Sequence, residues 1–468
     1  MARRKKEITI PELHIENIAA EGKSIARHEG QVVFVKEAVP GDIVDVRVTR
    51  KKKSHLEGYP VAYHSLSDQR TEPFCKHFGS CGGCKWQHLN YDSQVKFKEQ
   101  QVLDAIERIG KVEVADTRPI LKSEKTSLYR NKLEFTFSNK RWLTKEEIDS
   151  NEELERNALG FHVPRLFDKI IDIEECHLMQ EPTNAIKNEI RSYALEHGLK
   201  FFDIREKSGL LRTVMMRITD IGEVMVLIQF FDQNQEEIDD LMNHLKEKFP
   251  EIDSLLYVIN QKGNDTFHDL DVITFSGKDH IIEEMGTLKF KIGSKSFYQT
   301  NSTQAHNLYK IVADFANFQG DELVYDLYTG TGTIANFCAG QAKKVIGIEY
   351  VPEAIEDAKV NSQFNNIDNT DFFAGDMKDL LDDDFVSKHG KPDLVITDPP
   401  RAGMHDNVVN MLLKLSPKKI VYVSCNPATQ ARDLNLMSEQ YDVTKMQPVD
   451  MFPHTHHVEN VVLLELRN

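Results

Sequence analysis

The C-terminal part of the chain, from about residue 290, alternates short apolar segments with helical segments. The candidate strands lie at 322–327, 344–348, 394–397, 419–423 and 458–465. Alternating strands and helices favour a parallel, doubly wound sheet, because parallel neighbours need a crossover connection. Such sheets bind ligands at the carboxyl ends of their strands. The residues that follow these strands are therefore the first candidates for function.

The N-terminal residues 1–62 predict a small β-barrel. Segments 32–35 and 43–48 are predicted strands, and the Pro-Gly-Asp sequence that begins at Pro40 predicts a turn between them. Small five-stranded barrels of this kind commonly bind oligonucleotides. The net charge of −16 argues weakly against a nucleic-acid partner. The compact basic run at 50–53 fits either a nucleic-acid contact or a solvated turn.

Residues 63–285 predict a central α+β domain that a cysteine-rich loop interrupts. Helices are expected at 93–109 and 234–249, and strands at 132–137, 214–218, 224–228 and 254–258. Residues 144–156 are strongly charged and have no apolar face, so they predict an exposed excursion.

The cysteine-rich loop has the spacing of a metal centre. Cys75, Cys81 and Cys84 form a C-x5-C-x2-C array, and Cys176 lies far downstream. Glycines at 79, 82 and 83 let the loop curl around a bound group. Four thiolates suit either an iron–sulfur cluster or a tetrahedral zinc ion, and the spacing does not separate the two. An unligated group is difficult to reconcile with three cysteines so close together.

Basic and aromatic residues flank this array. They are Lys76, His77, Lys85, Trp86, Gln87 and His88. This combination suits RNA bases and phosphates. A packed tryptophan with solvated lysines fits the same pattern equally well.

The ends of the first three C-terminal strands predict a site for an adenosyl ligand. Gly330 and Gly332 permit a tight turn and a close backbone approach. Glu349 follows the second strand, where a carboxylate accepts hydrogen bonds from ribose hydroxyls, and Asp376 is expected near the adenine. Tyr328 stands where a dinucleotide fingerprint has its first glycine, which disfavours a dinucleotide dehydrogenase, the competing enzyme class.

The later strands end at chemically active side chains. Two prolines after Asp398 fix its backbone. Cys425 follows a strand, and Pro427 opens a helix whose N-terminus is expected to favour thiolate over thiol. The alternative for Cys425 is a small core residue. Glu459, at the start of the last strand, is a candidate base or an ion-paired rim acid.

Five motifs in these regions resemble the S-adenosyl-L-methionine (SAM)-dependent RNA uracil-5-methyltransferases. In the family's order they are Ser-Phe-Tyr-Gln-Thr-Asn from Ser296, Asp-Leu-Tyr-Thr-Gly from Asp326, Asp-Pro-Pro-Arg from Asp398, Ser-Cys-Asn-Pro from Ser424 and Pro-His-Thr-His-His-Val-Glu from Pro453. The N-terminal segment resembles the TRAM domain, an RNA-binding barrel. The cysteine array resembles the ribosomal RNA branch of the family more than the tRNA branch.

The resemblance implies a three-part architecture. It comprises an OB-like TRAM β-barrel over 1–62 and a central α+β domain with an iron–sulfur loop over 63–285. An α/β Rossmann-like SAM methyltransferase domain covers 286–468. Together these parts account for the whole chain.

The resemblance also implies residue roles. Cys425 is the nucleophile that adds to carbon 6 of uracil, Glu459 removes the proton from carbon 5, and Asp398 holds the pyrimidine edge. The implied cofactor contacts are Gln299, Tyr328, Gly330, Gly332, Glu349, Asp376 and Asp398. The implied ligands of a four-iron–four-sulfur cluster are Cys75, Cys81, Cys84 and Cys176.

The expected activity is formation of 5-methyluridine in RNA, with 23S ribosomal RNA as substrate. tRNA is the alternative substrate, and a non-catalytic iron–sulfur RNA-binding protein is the alternative from a different class. No stretch approaches the length of a membrane span, no signal peptide is evident, and six cysteines are too few for a disulfide scaffold. We expect a cytoplasmic monomer with no membrane partner.

Overall fold

The computed structural model describes residues 8–150 and 152–467. The basic residues 1–6, which entered the expectation that the chain carries no signal peptide, lie outside the described residues. Within the described ranges, no helix combines the length and the apolar character that crossing a bilayer requires.

The N-terminal residues form a six-stranded sheet that curls around its own core. Its strands are β1 (Ile8–His14), β2 (Asn17–Ile18), β3 (Ser24–His28), β4 (Gln31–Val35), β5 (Ile43–Lys51) and β6 (His55–Ser65), in the order β1-β5-β6-β4-β3-β2. Alternate side chains point inward, and Val33, Val35, Val44 and Val46 are fully buried. The strands predicted at 32–35 and 43–48 are both present.

The cysteine-rich loop follows the barrel and leads into helix α1 (Tyr91–Ala105). Asn90 caps this helix by accepting a hydrogen bond from the backbone N–H of Ser93 at 2.9 Å. The helix ends in a π-helical turn, Ile106–Gly110, and strand β7 (Val114–Thr117) follows. The predicted helix at 93–109 is therefore present with a wider last turn.

A seven-stranded sheet forms the middle of the molecule. The elements are β8 (Lys132–Ser138), α2 (Lys145–Asp149), β9 (Ala158–His162), β10 (Ile170–Asp172), α3 (Thr183–Glu196), β11 (Leu211–Ile218), β12 (Val224–Phe230), α4 (Gln235–Lys248), β13 (Ile252–Ile259) and β14 (Ile273–Gly277). The strand order is β10-β9-β8-β11-β12-β13-β14. Helices α3 and α4 pack on one face, and the charged segment contains only the short, exposed helix α2.

The C-terminal region begins with a hairpin and continues as a sandwich of helices and strands. Its elements are β15 (His280–Met285), β16 (Leu288–Gly293), α5 (Ser302–Ala316), β17 (Leu323–Leu327), α6 (Thr333–Ala339), β18 (Lys344–Glu349), α7 (Pro352–Phe364), β19 (Thr370–Ala374), α8 (Met377–Leu380), α9 (Asp383–His389), β20 (Leu394–Thr397), α10 (Asp406–Leu415), β21 (Lys419–Ser424), α11 (Pro427–Met437), β22 (Tyr441–Val449) and β23 (Glu459–Leu466).

The main sheet has eight strands in the order β19-β18-β17-β20-β21-β23-β22-β7. Strands β17 to β21 are mutually parallel, as the alternating pattern predicts. The last candidate strand departs from the parallel pattern, because β23 runs antiparallel to β21 and to β22. A loop alone connects β22 to β23, and a strand that returns through a loop pairs antiparallel without a crossover helix.

Helices cover both faces of this sheet. Helices α5, α6 and α7 share one apolar cluster with it, and α1, α9, α10 and α11 share the other. The carboxyl ends of β17 to β21 lie at one edge, and the antiparallel β23 begins there. We call this the carboxyl edge. The helices cover the two faces of the sheet, and ligands of such sheets bind at this edge.

Candidate active site

The carboxyl edge brings together the residues predicted at the strand ends. Tyr328 follows β17, Glu349 ends β18, Asp376 follows β19, Asp398 follows β20 and Cys425 follows β21. These strands are in parallel register, with Leu327 beside Thr397 and Thr397 beside Tyr422. The sheet therefore positions side chains that are distant in sequence.

Glu459 reaches the same place from the opposite direction. Ser424 pairs with Asn460 across the antiparallel strands β21 and β23, so Glu459 lies beside Cys425. Glu459 is buried, and its charge acts on the Cys425 thiol. The structure thus places a carboxyl group next to the candidate nucleophile.

The turn after β17 is shaped by three residues with positive φ. Tyr328, Gly330 and Gly332 have φ values of 64°, 55° and 74°. Tyr328 adopts the backbone that a glycine normally provides, at a strain of about 1 kcal/mol or more. This explains how the turn forms although the first glycine of the fingerprint is missing.

The acid at the end of β18 is held by this turn. The Glu349 carboxylate accepts hydrogen bonds from the backbone N–H groups of Gly330 at 3.2 Å and Val351 at 3.0 Å. A Cβ atom built on Gly330 would meet no heavy atom within 4 Å, so open space adjoins the carboxylate. The space beside the carboxylate is open to a ligand, and the role of Glu349 in binding a cofactor stays a prediction.

Within this turn, Gly332 tolerates a side chain less well than Gly330 does. A Cβ atom there would lie 2.9 Å from the Ala358 Cβ and 3.0 Å from the Phe372 ring, at a φ of 74°. We expect Gly332→Ala to lower the free energy of unfolding by about 2 kcal/mol and to weaken SAM binding. Thermal unfolding and calorimetric titration with SAM measure the two effects.

Gly340→Ala is the matched control, because Gly340 ends the same helix at a φ of −67° and its Cβ would meet nothing within 4 Å. Equal SAM affinity in both variants and the wild type would contradict the placement of the cofactor.

Asp326 is a buried acid of strand β17, just before this turn, and the sequence predicts no role for it. Its Oδ2 accepts a hydrogen bond from the Thr329 hydroxyl at 2.5 Å. Burial raises the pKa of Asp326 to about 7, and the charge of Asp398 adds to the shift. An acid inside a buried strand, as in the Asp-Leu-Tyr-Thr-Gly motif, is the signal that could have identified it.

The remaining predicted cofactor residues differ in their surroundings. Gln299 accepts a hydrogen bond on its backbone oxygen from Asn131 at 2.9 Å, and its side-chain amide has no partner in the described ranges. Asp376 caps α8 and pairs with Lys378 at 3.0 Å, which lowers its pKa. The Gln299 amide is therefore free for a ligand, whereas Asp376 already has a charged partner.

The electrostatics at Cys425 differ from the expectation. Burial, together with the negative charges of Glu459 and Asp398, raises the pKa of the Cys425 thiol to about 11. The helix N-terminus predicted to favour the thiolate is present, since Asn426 caps α11, but it does not outweigh burial. The resting group is therefore a thiol at neutral pH.

The two neighbouring acids are also shifted. Burial raises the pKa of Asp398 to about 7 and that of Glu459 to about 8. The charge of Asp398 raises the Glu459 value further, and Arg401 opposes this. Cys425, Asp398 and Glu459 thus hold exchangeable protons near neutral pH, as acid–base chemistry requires.

A buried ion pair fixes the loop that precedes Glu459. Lys98 of α1 lies 2.5 Å from Asp450, both side chains are fully buried, and Tyr91 donates to the same carboxylate at 2.9 Å. Gln94 accepts a hydrogen bond from the backbone N–H of His454 at 2.8 Å. Helix α1 therefore anchors the 450–458 loop.

The cysteine-rich loop is tied to the same segment. The backbone N–H groups of Lys85 and Trp86 donate to the carbonyl of His454 at 2.8 and 3.0 Å. The Trp86 indole donates to the backbone oxygen of Gly22 in the barrel at 3.1 Å. Trp86 is only 2% exposed, so it packs between these parts; the alternative in which it contacts RNA bases is wrong.

The four predicted metal ligands lie around one cavity of about 1020 Å³. It is lined by Cys75, Cys81, Cys84 and Cys176 among others. Burial raises the pKa of Cys81 to about 12 and that of Cys176 to about 11, and the neighbouring thiols add to both shifts. Among the described residues, no three His, Cys, Asp or Glu side chains form a closed site for a metal ion.

Family comparisons cover the C-terminal and N-terminal parts of the chain. The tRNA (Uracil-5-)-methyltransferase family model matches residues 222–467, which is more than half of the chain. The TRAM domain model matches residues 2–61. The N-terminal barrel is therefore a TRAM domain.

Similar proteins extend over nearly the full length. A relative from Bacteroides thetaiotaomicron named "Uncharacterized RNA methyltransferase" is 57% identical, covering 96% of this chain and all of the relative. A relative from Chlorobaculum tepidum with a corresponding name is 38% identical and covers 98% of this chain and 96% of its own length.

A solved structure shares the fold over nearly the full length of both chains. The tRNA (uracil-54, C5)-methyltransferase of Pyrococcus abyssi, in complex with S-adenosyl-L-homocysteine, superposes with a TM-score of 0.74 at 28% identity and covers 96% of this chain and 99% of its own. These matches confirm the predicted family and fold class. The chain belongs to the SAM-dependent RNA uracil-5-methyltransferase family and carries an N-terminal TRAM domain.

Proposed function

We propose that the protein methylates carbon 5 of a uridine in RNA through a covalent bond between Cys425 and carbon 6. The observation that carries this proposal is the placement of Cys425, Asp398 and Glu459 at adjacent strand ends beside the glycine turn. A nucleophile, an acid–base group and a cofactor turn at one edge are the parts that this reaction needs.

The chemistry explains why a cysteine is needed. Carbon 5 of uracil is a poor nucleophile, and addition of the Cys425 sulfur to carbon 6 converts the ring into an enolate. The positive charge of Arg401 lowers the pKa of Cys425 and therefore assists loss of its proton. SAM, when bound, supplies the methyl group to carbon 5.

Glu459 would then act as the base. It removes the proton from carbon 5, so that the electron pair re-forms the double bond and releases the Cys425 sulfur. Its pKa of about 8 makes the ionised carboxylate a stronger base than an ordinary glutamate. Asp398 would hold the pyrimidine edge. The target base must leave its stack to reach these groups.

The residues around the glycine turn fit SAM. Glu349 lies beside open space at Gly330, and among the described residues the Gln299 side-chain amide has no hydrogen-bond partner. We propose that Glu349 binds the ribose hydroxyls, and that Gln299, Tyr328, Asp376 and Asp398 complete the contacts.

We also propose that Cys75, Cys81, Cys84 and Cys176 hold a four-iron–four-sulfur cluster. Cys176 is buried, the other three cysteines are half-buried, and all four line one cavity, where a cationic group would stabilise their thiolates. Such a cluster would join the loop to Cys176, which precedes α3.

A loss of iron tests this assignment. We expect the anaerobically purified protein to be brown and to contain about four irons per chain, as a four-iron cluster requires. Cys176→Ser should lose most of the iron and destabilise the loop. Metal analysis and absorption spectroscopy give the readouts, with Cys338→Ser in helix α6 as control. A colourless wild type loaded with zinc would contradict the proposal.

We propose 23S ribosomal RNA as the substrate and a cytoplasmic monomer as the active form. The cysteine array supports the ribosomal substrate, whereas the similarity to the Pyrococcus abyssi enzyme favours tRNA as the second candidate. Mass spectrometry of both RNAs from cells with and without the protein decides between them. Loss of 5-methyluridine from tRNA alone would refute the ribosomal assignment. Light scattering measures the oligomeric state.

A further inference from the structure

Two cations near the carboxyl edge form no ion pair: Lys85 lies beside the 450–458 loop and Arg401 beside Cys425. Lys85 on the cysteine-rich loop and Arg401 after the proline turn are both exposed. In the part of the chain that the structure describes, neither side chain forms an ion pair or a hydrogen bond. Both charges are therefore available to an anionic ligand, whereas exposed lysines such as Lys414 and Lys418 are already paired with acids.

The backbone holds both residues at the mouth of the site. The Lys85 N–H donates to the His454 carbonyl at 2.8 Å. The Arg401 carbonyl accepts hydrogen bonds from the Asn426 amide at 2.9 Å and from the Thr429 hydroxyl at 3.2 Å, next to Cys425. Their positions are therefore set by the same elements that place the nucleophile and the base.

The two cations lie close enough to act on the same pair of histidines. Burial depresses the pKa values of His456 and His457 to about 4 and about 3, and the positive charges of Lys85 and Arg401 lower them further. Positive charge is thus concentrated around this pair of neutral rings.

The two histidines add hydrogen-bonding capacity without charge. Their rings lie 4.1 Å apart, and His456 Nδ1 is buried without a partner. A Cβ atom built on Gly22 of the barrel would lie 2.9 Å from the Cβ of His456, so the barrel packs closely against this pair of histidines. Neutral imidazole N–H groups beside two cations are suited to phosphate oxygens.

We propose that Lys85, Arg401 and the pair His456–His457 bind the RNA phosphodiester next to the target uridine. The inference rests on the proposed function and extends it to the backbone of the substrate. Phosphate contacts fix the position of a nucleic acid, whereas base contacts select it. A base turned out into the site needs its flanking phosphate held, and the cysteine-rich loop would serve catalysis by presenting Lys85.

The salt dependence of RNA binding tests the proposal. The probe is a uridine-containing single-stranded oligonucleotide, titrated over a series of salt concentrations. The plot of the logarithm of the RNA association constant against the logarithm of the salt concentration has a negative slope. Each lost phosphate contact should reduce the magnitude of this slope by about 0.7 and weaken RNA binding about fourfold near about 0.15 M salt. We expect this for Lys85→Ala and for Arg401→Gln, and about twice the slope change for the double variant.

Lys418→Ala is the matched control. Lys418 has a side chain that is 79% exposed and precedes β21 at the opposite edge of the sheet, where it pairs with Asp393. Its slope and affinity should equal those of the wild type. The affinity for SAM should also stay unchanged in Lys85→Ala. Selective weakening of SAM binding would overturn the proposal, because the cations would then serve the cofactor's carboxylate.

Wild-type slopes in both single variants would likewise overturn it. Failure of the phosphate site can be distinguished from failure of the proposed function, because the salt slope counts phosphate contacts whichever base is modified. If the wild type methylates no uridine but Lys85→Ala still reduces the salt dependence of RNA binding, the uridine assignment is refuted and the phosphate site is kept. Unchanged thermal unfolding of both variants shows that the fold is intact.

Discussion

Cys425→Ala is expected to reduce methyl transfer by about 10⁴-fold or more, because the covalent route through carbon 6 is lost. The side chain is half-buried at a strand end and is not part of the main apolar clusters, so RNA and SAM binding should persist. Transfer of labelled methyl groups into RNA measures the first effect, and titration measures the second.

Cys338→Ala is the control, since Cys338 is the other cysteine outside the predicted cluster and lies fully buried in α6. We expect it to lower stability slightly and to keep turnover. Methylation by the Cys425 variant at the wild-type rate would reject the nucleophile.

Glu459→Gln is expected to stop the reaction one step later. The amide cannot take the proton from carbon 5, so the sulfur cannot leave and the enzyme stays bonded to the methylated RNA. A denaturing gel should show the adduct as a shifted band that resists heating. The double variant Cys425→Ala/Glu459→Gln is the control and should show no band. A single variant that turns over freely would contradict the role of Glu459.

The raised pKa of Glu459 also predicts opposite effects of pH on rate and stability. The base must be ionised, so the rate should rise with pH and level off above about pH 8. The folded-state pKa of about 8 exceeds the reference value of 4.5, so the unfolded chain ionises first; the contribution of this group is fully present below pH 4.5 and is lost progressively as pH rises to about 8. Glu459→Gln should therefore gain thermal stability relative to the wild type increasingly between pH 4.5 and about 8, and by a constant amount above that.

The local pattern of the sequence was sufficient for much of the C-terminal sheet. The strand at 394–397 is present with the predicted limits, and that at 344–348 extends by one residue to Glu349. The spacing of apolar residues and the turn residues between them determine such elements locally. Because parallel strands end at one edge, the same reasoning was able to place Tyr328, Asp398 and Cys425 together.

The role of Glu459 came from the resemblance of the motifs to a known family and not from local sequence patterns. Nothing in the spacing of Glu459 separates a base from a rim acid, and the family resemblance alone indicated its role. The structure shows this acid buried beside Cys425, but the assigned chemistry remains a prediction until the variants are measured.

Long-range packing was beyond the sequence. Strand β7, which comes from residues far upstream, completes the edge of the main sheet by pairing with β22. The Lys98–Asp450 pair joins segments that are distant in the chain. Neither feature has a local signal, because pairing between distant segments depends on which surfaces the whole fold brings together.

The sequence by itself determined the family, the parallel part of the main sheet and the strand ends that carry Asp398 and Cys425, because these depend on short-range periodicity and on motifs. Only the tertiary structure decided the protonation of Cys425, the burial of Trp86 and the anchoring of the 450–458 loop by α1. A pKa and a buried contact depend on the groups that other segments bring near, and a helix N-terminus acting alone would have favoured the thiolate that burial disfavours.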